Sequence, residues 1–108
     1  MSDDNRVAAL QDILKDSPDD AFARYALGLE YSSSGETDAA LSEFARLLAS
    51  HPDYTNGYFM AAQTLDRAGR HDEARAMLQH GIESARRTNN RHALSEMEAM
   101  LEEIEIRG

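Results

Sequence analysis

The sequence predicts an all-α fold of antiparallel helix-turn-helix repeats, with about six helices. Three observations predict it. Pro18-Asp19 returns as Pro52-Asp53 and Gly35 returns as Gly69, both at an offset of 34 residues. Between these breaks, apolar residues recur at three- and four-residue spacings, the signature of helices with one buried side. No stretch alternates apolar and polar residues with period two, so no sheet is expected.

Each element follows from local chemistry. Val7, Leu10, Ile13 and Leu14 make one stripe on a first helix over residues 5–15. Asp16 and Ser17 are capping types and Pro18 suits a first helical turn, which predicts a second helix over about 19–33. That helix places Phe22, Tyr25, Ala26 and Leu29 on one side with Leu27, Gly28 and Tyr31 adjoining, an arc wider than one neighbouring helix requires. Gly35 can end it in the left-handed conformation, and Thr37 can cap a third helix over 38–49. Ala40, Leu41, Phe44, Leu47 and Leu48 form its stripe. A fourth helix, 54–67, carries Tyr58, Phe59, Ala61, Ala62 and Leu65 and closes at Gly69. The fifth, 72–87, carries Ala74, Met77, Leu78 and Ile82 with His71 as its cap, and Thr88-Asn89-Asn90 breaks it. The sixth, 91–106, shows Leu94, Met97, Leu101 and Ile104 on one stripe.

Composition narrows the function. A domain of 108 residues with 42% hydrophobic residues buries about two-thirds of its unfolded surface, enough for one modest core. Twenty acidic against 11 basic side chains give a net charge of -9, which repels phosphate backbones and anionic lipid and favours neutral or basic partners. No nucleic-acid partner is expected. Without cysteine there are no disulfides, thiolate metal sites or thiol nucleophiles. The acidic start "MSDDNRVAAL" lacks the basic and apolar segments of a secretory signal, and no apolar run approaches a membrane span of about 20 residues. A cytoplasmic protein that does not insert into membranes is the expectation.

At one fixed offset, Leu27-Gly28, Tyr31, Gly35, Ala40, Phe44 and Pro52 are followed by Ala61-Ala62, Leu65, Gly69, Ala74 and Leu78. These residues resemble the tetratricopeptide repeat (TPR) family, whose units of about 34 residues stack as a right-handed superhelix with a concave groove. The resemblance divides the chain, as one domain over 1–108, into a half repeat at 5–18, repeat one at 21–54, repeat two at 55–88 and a capping helix at 89–106. Gly28, Ala40, Ala62 and Ala74 are the small residues that let paired helices approach closely.

The resemblance also implies a function and a site. The first helix of each repeat lines the groove, which selects helices 2 and 4 and the residues Phe22, Tyr25, Leu29, Phe59, Gln63 and Arg67. Chaperone-binding members carry a basic, amide-rich carboxylate clamp there. Tyr25 and Leu29 occupy two of its places in repeat one and Lys15 is the only lysine, so the expected groove is apolar with an aromatic floor. The implied role is a protein-protein interaction module holding a protein or peptide with apolar, aromatic or basic side chains. The alternative is a self-associating assembly unit whose groove is filled by a second copy.

Catalysis finds little support in the sequence, so no enzyme activity, cofactor or metal is expected. Ser32, Ser33 and Ser34 precede Gly35 without the strand-turn-helix setting of a nucleophile elbow. His71 and His80 face opposite ways on one helix and cannot share a metal. Helix 6 carries Arg91 and His92 at its start and Glu102, Glu103 and Glu105 near its end, against the helix dipole. An antiparallel arrangement predicts that Glu102 and Glu103 approach Arg70 and Arg75; docking of a basic surface is the rival explanation of this charged tail.

Overall fold

The computed structural model describes residues 4–107. Its six helices are α1 (Asp4–Asp16), α2 (Ala21–Ser33), α3 (Thr37–Ser50), α4 (Thr55–Arg67), α5 (His71–Arg87) and α6 (Arg91–Arg107). No strand occurs among the described residues, and the architecture is an all-α helical repeat. The chain forms two compact units, one reaching to His51 and the other beginning at Pro52.

Three helices end by the same backbone device. In α2 the N–H of Gly35 bonds the carbonyl of Ser32 at 3.2 Å and that of Glu36 bonds Tyr31 at 2.9 Å. The same pair of bonds closes α4 at Gly69 and Arg70, and α5 at Asn89 and Asn90. This is the Schellman closure, which requires a left-handed residue: Gly35 and Gly69 have φ of 81° and 78°, and Asn89 has 56°. Because residues 36 and 70 are held by these closures, the next helices start immediately after them. Glu36 and Arg70 therefore stand at the cap positions, and the expected caps Thr37 and His71 are instead the first helical residues. Asn90 does cap α6, its Oδ1 accepting from the N–H of Ala93 at 3.1 Å.

The Pro-Asp turns are built differently. Pro18 lies outside α2, because Asp20 takes the extended cap conformation and its Oδ1 accepts from the N–H of Ala23 at 2.9 Å. The turn carbonyls are then tied back. Arg24 donates to the Pro18 carbonyl at 2.8 Å, and Tyr58, at the matching place 34 residues on, donates to the Pro52 carbonyl at 2.7 Å. Different side chains do one job.

In the first unit Leu10, Leu14, Ala23 and Leu27 form a buried cluster, with Val7, Ala26 and Tyr31 packed around it. Ile13, expected on the same stripe, is 46% exposed, because among the described residues α1 packs against α2 alone and one neighbour does not cover so wide an arc. Arg6 reaches the buried Glu30 at 2.6 Å, and Arg24 pairs with Glu43 at 2.8 Å with both side chains largely covered. Between α2 and α3 the contact is tight: a Cβ on Gly28 would lie 2.5 Å from Cε1 of Phe44.

The second unit repeats this logic with other residues. Ala61, Ala62, Ala74, Leu78 and Met97 are fully buried. Gly81 brings α5 against Met97 of α6 and Tyr58 of α4, leaving only 2.5 Å between a notional Cβ and the Met97 sulfur. Thr55 and Ser84 bond each other at 2.8 Å inside the α4–α5 contact. Arg70 and Arg75 take the nearer acids Glu73 and Asp72, while Glu103 lies 3.9 Å from Arg107 on its own helix. Sequence-local partners displace the expected cross-helix pairing of Arg75 with the α6 acids.

The end of α6 is fixed to α4 by Asp66, which accepts from Arg107 at 3.0 Å and contacts Nδ1 of His71 at 2.8 Å. Burial pushes the Asp66 carboxyl up, but the bonds from Arg107 and His71 outweigh it and hold the group below its ordinary value of 3.8.

Two outcomes follow from this packing. Gly28→Ala is expected to cost about 1–2 kcal/mol in urea unfolding, the overpacking of the Phe44 ring exceeding the gain in helix propensity. Repeat two carries Ala62 and Leu78 at the matching places, so the Gly28→Ala, Phe44→Leu pair should lose clearly less than the sum of its single changes; strict additivity would show that the close approach is not limiting. Asp66→Asn is expected to lower stability by about 1 kcal/mol near neutral pH. A carboxyl with a depressed folded pKa stabilises above its unfolded value and loses that contribution as pH falls through the folded one. Thermal melts should therefore show the gap between wild type and Asp66→Asn closing below about pH 4, and a gap unchanged at pH 2.5 would remove the ionic account.

Candidate functional site

Three of the six sequence-predicted groove residues share one cleft. Phe59, Gln63 and Arg67 recur at four-residue spacing along α4 and line a cavity of about 520 Å³. The facing wall is α6, which contributes Glu96, Ala99, Met100, Glu103 and Arg107. Phe59 and Met100 are half-buried and provide an apolar floor, whereas Arg67 is exposed at the rim. Asp66 and its partner Arg107 close one end, so the ion pair that anchors α6 also shapes the cleft.

The other three predicted residues lie on α2 in the first unit. Phe22 is 69% exposed, the most open aromatic side chain that the chain presents. Leu29 is half-buried. Tyr25 is also half-buried, and its ring meets Phe44 at 6.4 Å between centroids and an interplanar angle of 52°, a tilted aromatic contact. Much of Tyr25 therefore serves helix packing.

The α6 wall was missed by sequence reasoning, which treated that helix as a capping helix. Its signal lay in the spacing of Glu96, Met100, Glu103 and Arg107, one face of a helix distinct from the buried stripe of Ala93, Met97 and Ile104. Asp66 was missed as well, since no local pattern links it to a residue 41 positions away.

The serine hydroxyls at the end of α2 and the arginines at the end of α5 are engaged in structural contacts. Ser33 and Ser34 donate to the carbonyls of Glu30 and Tyr31, at 3.1 and 3.0 Å, and so finish α2. Of the three arginines at 86, 87 and 91, Arg86 lies 3.6 Å from Glu98, and Arg87 donates from Nε to Asp53 at 2.9 Å. The Asp53 hydrogen bond raises the Arg87 pKa above its ordinary value. Among the described residues no group of His, Asp and Glu side chains could hold a metal, and no buried side-chain nitrogen or oxygen lacks a partner. No helix among the described residues is long and apolar enough to cross a membrane.

The repeat geometry is matched in known proteins. Two family models described as tetratricopeptide repeat match residues 31–97 and 1–60. A TPR repeat-containing protein of Pseudomonas aeruginosa is 24% identical over 99 residues, covering 92% of this chain and 94% of its own. The solution structure of a tetratricopeptide repeat domain protein from Salinibacter ruber is similar with a TM-score of 0.76 at 32% identity, covering 82% of this chain and 90% of that one. The crystal structure of PcrH in complex with the chaperone binding region of PopD is similar with a TM-score of 0.89 at 21% identity, covering 96% of this chain and 79% of that one. With each family model covering more than half of the residues, and with the helix turns returning at the family's period, the chain belongs to the tetratricopeptide repeat family.

Proposed function

We propose that this chain is a non-enzymatic protein-protein interaction module that docks a segment of a partner protein against the first helices of its repeats, α2 and α4. The repeats are those of 21–54 and 55–88, preceded by a half repeat at 5–18 and followed by the helix of 89–106, in one cytoplasmic domain. The observation that carries the proposal is the cleft floored by Phe59 and Met100 and rimmed by Gln63 and Arg67. An apolar floor with few polar groups suits a leucine-like or aromatic side chain inserted from an extended or helical segment, with polar contacts fixing its register. Exposed Phe22 offers a further apolar anchor on α2. The PcrH structure adds support from fold likeness, since that protein holds the chaperone binding region of PopD. Members of this family act generally as interaction modules, and the hydroxyls of Ser33 and Ser34 are occupied in helix closure.

Affinity capture from the native lysate tests the proposal with three folded baits: wild type, Met100→Glu, and Phe22→Glu with Leu29→Glu. The expected result is a protein retained by wild type and weakened at least about tenfold by a charge placed on an apolar anchor, a loss of about 1.4 kcal/mol or more. Identical proteins on all three baits would remove the groove. Recovery of further copies of the chain alone, with mass rising with concentration in sedimentation, would instead support the self-associating assembly unit.

A further inference from the structure

We infer that the cleft between α5 and α6 is a second docking surface, one that takes a basic amphipathic segment of a partner protein. It has a volume of about 540 Å³, with Ile82 and Leu101 as its apolar floor and Glu83, Glu98, Glu102 and Glu105 around them. Among the described residues Arg86 is the one cation that lines it, and that guanidinium already lies 3.6 Å from Glu98. The cleft is therefore strongly negative around an apolar centre.

A second, independent observation comes from the helix itself. Glu105 stands in the last turn of α6, where the helix dipole is negative and a carboxylate weakens the helix, and Glu102 has the like charges of Glu98 and Glu105 four residues before and three after it. Among the described residues neither has an ion-pair partner, in contrast to Glu98 and Glu103. The fold thus keeps charge where its own stability opposes it. A cationic occupant supplies the missing counter-charges, whereas a neutral apolar segment would desolvate the carboxylates without pairing them and an acidic one would be repelled. The floor adds the apolar half of the requirement, so the fitting chemistry is a helical segment with leucine-like side chains on one stripe and Lys or Arg beside it.

This surface is independent of the Phe59 cleft. It uses Glu98, Leu101, Glu102 and Glu105 of α6, while the other uses Glu96, Met100, Glu103 and Arg107 on a different face. Either can fail alone.

The probe is a synthetic peptide of leucine and lysine in helical register, compared with a peptide of the same composition in scrambled order. Each is titrated into the nitrogen-15-labelled full chain at about 0.15 M salt. The expected result is amide shifts concentrated in residues 79–86 and 98–105, with clearly weaker binding of the scrambled peptide. Glu102→Gln with Glu105→Gln should weaken the registered peptide about five- to tenfold while raising the melting temperature by a few degrees, because it clears one carboxylate from the last turn of α6 and removes the like-charge neighbour of Glu98. Since that variant gains stability, its lost binding is not a folding defect. Equal affinity for both peptides, shifts centred on Phe59 and Met100, or undiminished binding by the double variant would each overturn the inference.

Discussion

The structure depends on how closely two helices can approach across a small residue. At Gly28 and Gly81 there is no room for a Cβ, and Ala40, Ala61, Ala62 and Ala74 are fully buried. Dispersion between packed atoms falls steeply with a gap of even half an ångström, so an interface built on glycine and alanine gains contacts that larger residues would hold apart. The large side chains opposite, Phe44, Leu78 and Met97, then fill what the small ones leave. Neither helix of a pair covers its own apolar face, and pairing is what makes each one stable.

That approach is useful only if the connecting turn delivers the second helix at the right angle. The closure at Gly35, Gly69 and Asn89 does so three times by the same two backbone bonds, and it fixes the first residue of the next helix. The third instance stands 20 residues after the second, not 34, so α6 joins α5 by the turn type found inside a repeat, where the period would place a Pro-Asp handover. Arg86 occupies the place of the missing proline. The departure explains why α6 lies close along α5 through Met97 and Gly81.

The fold was largely legible in the sequence because its determinants are local or periodic. Glycine at a helix end, Pro-Asp at a handover and apolar residues at helical spacing depend on near neighbours, and the 34-residue offset reveals itself by internal comparison. Helix starts were less legible. Thr37 and His71 have capping chemistry, yet the preceding closure had already fixed the boundary, so backbone geometry overrode side-chain preference. The candidate site was half legible: Phe59, Gln63 and Arg67 share a cleft, but its α6 wall depends on which face of a nonconforming helix turns inward. Tyr25 shows the opposite difficulty, because an aromatic on a wide apolar arc serves packing and exposure at once and only the Phe44 contact tells them apart.

Placed by that irregular turn, α6 sets the width of two clefts on opposite flanks of itself. Its inner stripe of Ala93, Met97 and Ile104 is buried, and its start and end are held by the Asn90 cap and the Arg107–Asp66 pair. The flank toward α4 carries Met100 and the Glu103–Arg107 pair, giving an apolar cleft with a rim of mixed charge. The flank toward α5 carries Leu101 among carboxylates left largely without cations. A single helix with one anchored stripe therefore presents two chemically different surfaces. The anchors at Asn90, Gly81 and Asp66 make the helix a fixed divider between those surfaces.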